Sequence, residues 1–225
     1  MRAVFVDLGE TLVHFKPRYH ENVLIALKDY GYEVDEAKLF RAINRILGRH
    51  HYPSPEYGGL SSLDFAELFY ELKIYPDRTV IKELNSKNLL SGEYQLYDDA
   101  IPFLEGVKSL GLKIVLISNA TRSLYRIIED LGIKKYFDGI VASCDLNIMK
   151  PHPKIFSYAV KLAGGDGIHI GDVYEIDVLG AKRAGLEALL IDRQNFYSEI
   201  KEKRVNNLLE ALELVKERSK SYYKS

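Results

Sequence analysis

Five short apolar runs, at 3–6, 112–118, 139–142, 168–171 and 188–191, constrain this chain more than any other feature. They are rich in β-branched residues and do not alternate with polar ones, the pattern of strands covered on both faces. Helical periodicities separate the later four. Phe103, Val107 and Leu110 share one face, with Asp99 placed to cap the helix, Pro102 in its first turn and Gly111 as a stop. Leu124, Ile127, Ile128 and Leu131 follow Ser123 and end at Gly132, and 154–162 and 176–184 supply two more helices. Strand alternating with helix predicts an α/β fold, a doubly wound parallel sheet of the Rossmann-like kind.

The segment 15–95 breaks that rhythm. It offers no convincing strand and four sets of apolar residues at i, i+3, i+4 spacing: Val23, Leu24 and Leu27; Leu39, Phe40, Ile43, Ile46 and Leu47; Leu63, Ala66, Leu68, Phe69 and Leu72; and Val80, Ile81 and Leu84. About 80 residues is too long for a loop inside a compact domain, so an inserted all-α cap is predicted for 15–95, with the core made of 1–14 and 96–225. The crossings near 14–17 and 92–98 carry little apolar periodicity and are candidate hinges.

The 225 residues carry 31 Lys and Arg against 32 Asp and Glu. That balance leaves no basic excess to neutralise a phosphate backbone, so nucleic acid is not the expected partner. The longest apolar stretches fall far short of the ~20 residues that span a bilayer, and no membrane is expected either. Cys144 is the single cysteine, which excludes an intrachain disulfide and fits a reducing, cytoplasmic setting.

In an open parallel sheet, ligands bind at the carboxyl ends of the strands. Asp7, Gly9, Glu10 and Thr11 follow the first run. Ser118 and Asn119 end the second, Lys150 lies beyond the third, and Asp172 and Asp177 follow the fourth. Carboxylates crowded on one edge repel each other unless a cation neutralises them, and an all-oxygen set selects Mg²⁺. Carboxylate, divalent cation, lysine and hydroxyl together suit phosphoryl transfer.

The segments VFVDLGETL, LKIVLISNA, LNIMKPHPKIF and IHIGDVYEIDVLGAKRAG resemble, in order and spacing, the four motifs of the haloacid dehalogenase superfamily. The resemblance points to the branch whose helical cap follows the first motif. It implies that Asp7 is a nucleophile forming an aspartyl-phosphate, that Thr11 and Ser118 orient it and the phosphoryl oxygens, and that the Asn119 N–H adds an oxyanion donor. It makes Lys150 the charge-balancing lysine, Asp172 a direct Mg²⁺ ligand and Asp177 an outer carboxylate acting through water. An Asp7 oxygen and the Gly9 carbonyl complete the metal set, and the substrate becomes a small phosphorylated metabolite, a phosphate monoester or an acyl phosphate.

Gly9 departs from the phosphatase pattern, which has a second Asp there for acid–base work, worth about 10²–10⁴-fold. Glu10, His14, His50 and His51 are conceivable substitutes. Glu10 is disfavoured because neighbours in an extended chain point opposite ways, and His50 and His51 are expected on the surface. Tyr52 and Tyr57 are expected to pack within the cap. Two rival readings remain: a 2-haloacid dehalogenase, which Gly9 favours and the Gly171–Asp172 pair opposes, and a phosphate-binding member without turnover.

Overall fold

The computed structural model describes residues 1–49, 63–87, 89 and 93–222. His50, His51, Tyr52, Tyr57 and Gly92 lie outside them. The strands are β1 (Ala3–Val6), β2 (Val13–Lys16), β3 (Glu93–Leu96), β4 (Lys113–Ser118), β5 (Gly139–Ala142), β6 (Gly167–Gly171), β7 (Glu187–Ile191) and β8 (Arg204–Val205). The helices are α1 (Tyr19–Asp29), α2 (Glu36–Arg49), α3 (Phe65–Leu72), α4 (Arg78–Asn85), α5 (Ala100–Ser109), α6 (Ser123–Asp130), α7 (Ser143–Leu146), α8 (Pro153–Ala163), α9 (Leu179–Arg183) and α10 (Leu208–Tyr222).

Six strands form one parallel sheet in the order β5-β4-β1-β6-β7-β8. Strand alternation divides the apolar runs between two faces. Val4 and Val6 of β1 and Ile114 and Leu116 of β4 pack against α5, α6 and α10. Ala3, Phe5, Val115 and Ile117 pack against α8 and α9. Both faces are covered, which is why the strands carry no polar face, and the predicted doubly wound α/β sheet is what forms. All five predicted runs are strands of this sheet; β8, two residues long, adds an edge that no periodicity announces.

The helices α1 to α4 share a buried cluster of their own, built on Val23, Leu27, Leu39, Ile43, Ile46, Leu68, Phe69 and Leu84. The reading of 15–95 as wholly helical needs correction at its ends. There β2 and β3 pair antiparallel, Val13 opposite Leu96 and Phe15 opposite Tyr94. Each is four residues long, β2 partly buried and β3 largely exposed, too short for alternation to show. These crossings are therefore a two-stranded ribbon.

Asp99 also differs from expectation. Its side chain makes no cap bond to α5. It instead accepts both Arg193 guanidinium nitrogens, each at 2.9 Å, and the Leu208 N–H at 2.8 Å, so it caps α10 from across the fold.

Candidate active site

The predicted residues meet at the carboxyl edge of β1, β4 and β6. Asp7, the residue after β1, is held by its N–H to the Ile170 carbonyl at 2.9 Å. Asp7, Gly9, Ser118, Asn119, Lys150, Asp172 and Asp177 all line one cavity of about 310 Å³. Thr11 does not line it. It is fully buried, and its hydroxyl reaches Asp172 Oδ1 at 3.4 Å, behind the cavity wall.

Lys150 Nζ lies 2.5 Å from Asp7 Oδ1 and 2.7 Å from Asp177 Oδ1. Burial opposes its charge, but the two carboxylates outweigh burial and hold the ammonium above its ordinary range. Asn119 sets the backbone of that lysine. Its amide nitrogen donates to the Lys150 carbonyl at 2.8 Å and its oxygen accepts the Lys150 N–H at 2.7 Å. The loops after β4 and β5 are thereby stapled together.

Asp177 is the most heavily engaged of the three carboxylates. His169 Nε2 lies 2.9 Å from its Oδ1, and the Val173 N–H donates to its Oδ2 at 3.0 Å. Burial disfavours its charge, yet Lys150 and His169 together hold it well below the usual carboxylate range. The turn that delivers it, 174–178, is wound wider than an α-helix. Gly171 makes room: a Cβ there would stand 2.2 Å from Asp177 Cγ.

Asp7 and Asp172 behave in the opposite sense. Burial pushes Asp7 up to about 6 against the pull of Lys150. Burial, then the charges of Asp177 and Asp7, push Asp172 far above its ordinary range. Ligand oxygens of Asp7, Asp172 and Asp177 lie within 4.8 Å of one another, all buried. At an effective dielectric of about 20, two such charges repel by about 3–4 kcal/mol. One lysine among three carboxylates leaves a net deficit of positive charge, centred on Asp172. The donor set is oxygen throughout. Both properties fit a hard divalent cation held by Asp7, Asp172 and Asp177, with Gly9 beside them.

The candidate substitutes for an acid at position 9 are placed as follows. Glu10 sits at φ 53°, so the chain is not extended there and the opposite-facing argument fails. Its carboxylate reaches the ribbon, accepting the Phe15 N–H at 3.0 Å and the Tyr97 hydroxyl at 2.9 Å, with Arg18 Nε at 3.4 Å. Burial raises its pKa above the ordinary value. His14 stacks on Tyr97, ring centroids 4.8 Å apart.

Sequence reasoning missed the residues that hold the site from behind. His169 is a buried polar residue in an apolar strand, and that anomaly in IHIG was the available signal. Arg193, whose guanidinium donates to the Thr11 carbonyl at 2.9 Å and lies over the Tyr97 ring at 3.6 Å, gave no local signal. From α2, Arg41 grips Glu175 at 2.7 and 3.1 Å and Glu199 at 2.7 Å, and so ties the helical segment to the turn between Asp172 and Asp177.

The family model for haloacid dehalogenase-like hydrolases matches residues 1–185. The chain belongs to that family. The resemblance read from its four motifs is borne out. Relatives of this HAD-like hydrolase include the haloacid dehalogenase-like hydrolase domain-containing protein 3 of Bos taurus, 29% identical over 85% of this chain and 82% of that one. They also include a glyceraldehyde 3-phosphate phosphatase of Methanopyrus kandleri, 26% identical over 87% and 86%. Among solved structures, the HAD-hydrolase YfnB of Bacillus subtilis, bound to magnesium, superposes with a TM-score of 0.63 at 19% identity, covering 96% of this chain and 98% of that one. A 2-haloacid dehalogenase of Pseudomonas syringae superposes at 0.56 with 24% identity, covering 94% and 97%. These structural likenesses establish the fold. Among the described residues no helix is long and apolar enough to cross a membrane.

Proposed function

We propose that this HAD-like hydrolase is a Mg²⁺-dependent phosphohydrolase acting on a small phosphate monoester or acyl phosphate through an aspartyl-phosphate on Asp7, with 15–95 as its cap. The observation that carries the reading is the pairing of Asp7 with Lys150 beside an Asp172 that makes no ion pair among the described residues. The phosphatase name of the Methanopyrus relative supports it.

In this reading an Asp7 oxygen attacks phosphorus, the new O–P bond forms, and the bond to the leaving oxygen breaks. Lys150 keeps Asp7 ionised and offsets the charge of the arriving phosphate. Asp177, fixed by His169 and the Val173 N–H, keeps Lys150 in place. The Ser118 hydroxyl and the Asn119 N–H stand at the end of β4 to donate to phosphoryl oxygens, and Thr11 orients Asp172. Asp7, Asp172, Asp177 and the Gly9 carbonyl would hold Mg²⁺, which supplies charge neutralisation of the transferring phosphoryl group when bound. Water then attacks the aspartyl-phosphate and regenerates Asp7.

The rival dehalogenase reading rests on Gly9, because halide departs without a proton. Asp172 argues against it, because an Asp7 that attacks carbon gains nothing from a carboxylate competing for the same cation. Phosphate release and chloride release from 2-chloropropionate, each measured with Mg²⁺ and with EDTA, decide the matter. Phosphate release that requires Mg²⁺ is expected. Metal-independent halide release without phosphate release would replace this reading with the dehalogenase, and release of neither would leave a binding protein.

A further inference from the structure

The cavity in front of Asp7 has two unlike ends. Its inner end is polar, formed by the site residues described above. The rest of its lining is mostly apolar, with Phe15 and Tyr94 from the ribbon, Leu47 from α2, Ile127 from α6 and Ile176 from the turn after Asp172, and the neutral hydroxyls of Tyr19, Thr121 and Ser123 among them. At about 310 Å³ it is small for a ligand pocket, a class that runs from roughly 300 to 1,000 Å³.

The aromatic pair is built into the fold. Phe15 and Tyr94 face each other in the β2–β3 register, with ring centroids 4.7 Å apart. A Cβ added at Gly9 would lie 3.8 Å from Phe15 Cε2 and would meet nothing closer. The space above Gly9, two residues beyond the nucleophile, is therefore bordered by an aromatic ring.

Charge points the same way. Among the described lining residues Lys150 is the one cation, and its ammonium is engaged by Asp7 and Asp177. Glu10 adds a further carboxylate to the wall. A second anionic group on a substrate would meet mostly apolar side chains, neutral hydroxyls and a like charge, and would lose its hydration without gaining a cation among the described residues.

We propose that the site selects phosphates whose leaving group is compact, apolar and uncharged, an aryl ring fitting best, with the ring packed on the Phe15–Tyr94 pair. This rests on the reading of Asp7 as the phosphate site and adds the class of alcohol that the phosphate carries.

The test compares matched compounds on the full chain with Mg²⁺. Binding of phenylphosphonate and 4-carboxyphenylphosphonate, which cannot be hydrolysed at the P–C bond, is measured by calorimetry. Steady-state kcat/KM is measured for phenyl phosphate and 4-carboxyphenyl phosphate. The uncharged ring is expected to lead by about tenfold or more in both. Leu47→Lys and Ile127→Lys, on opposite lobes, each place a cation at the outer end and should narrow or reverse the ratio. Equal handling of the two compounds, or a lead for the carboxylated one, overturns the proposal, as does binding of neither phosphonate. A preserved binding preference with no turnover of either ester supports this assignment while removing the hydrolase reading.

Discussion

Gly9 is the residue on which the chemistry turns. No side chain at that position can protonate a leaving oxygen, and the Glu10 carboxylate beside it is tied to Phe15, Tyr97 and Arg18. Aryl and acyl phosphates, which leave as stable anions, should therefore outrun alkyl phosphates by a factor approaching the ~10²–10⁴ of acid–base catalysis. The position has room for a side chain, and its φ is not in the left-handed region. Gly9→Asp should fold and should raise alkyl phosphate turnover more than aryl turnover. If the two rise alike, another group already supplies the proton. Asp7→Asn, by contrast, should remove turnover by several powers of ten on every ester, since it removes the nucleophile.

The elevated Asp7 and Asp172 make a second residue-level prediction. Without metal, both carboxyls are protonated more readily in the folded chain than in the unfolded one. Between the ordinary carboxylate range and pH 6, the folded state binds more protons, so this contribution to stability falls as pH rises. Mg²⁺ competes with those protons. The thermal shift that Mg²⁺ produces should be small at pH 5 and grow through pH 6 towards pH 8. A shift independent of pH would place the metal away from these carboxylates.

At the scale of elements, legibility followed the length and environment of each piece. The strands β1 and β4 to β7 could be read because both of their faces are buried, and α1 to α4 because each shows several apolar residues at helical spacing. The ribbon β2–β3 could not, since four residues give only two alternations, and β8 gives one. The four motifs named the front of the site, residues that touch the cavity, with Thr11 just behind it. Its support came from His169, Arg193 and Arg41, whose partners lie 8, 94 and 134 positions away. Side-chain pairings of this kind leave no periodicity to find. One of them yields a prediction. Arg41→Met would leave Glu175, only partly exposed, without its bidentate partner. A loss of about 2 kcal/mol, or about 4–8 °C in Tm, is expected for a chain of this size. An unchanged Tm would show that the α2 contact carries no net stability.

For the molecule as a whole, the same contact is one of several that hold the helical segment against the sheet, beside the packing of Phe40 on Val178, Leu190 and Tyr197 and the Asn44–Tyr197 hydrogen bond. The ribbon gives two covalent crossings, and Arg41 with Glu175 and Glu199 gives the charged part of the noncovalent contact. Solution scattering should show a larger radius of gyration for Arg41→Met than for the native chain without ligand, and a smaller difference once Mg²⁺ and a phosphate analogue are bound. Identical profiles throughout would mean that the lobes do not move on this axis.

The place of β1 in the sheet has a consequence for synthesis. Strand β1 is a central one, flanked by β4 and β6, which lie more than a hundred residues later in the sequence. On the ribosome it waits, unpaired and apolar, while the helical segment, whose contacts fall within one stretch of chain, emerges in full. Asp7 is translated well before Lys150, Asp172 and Asp177, the residues that come to surround it. A nascent chain that ends before Asp177 carries Asp7 with an incomplete cluster around it. Synthesis through Asp177 is thus the step that completes the cluster.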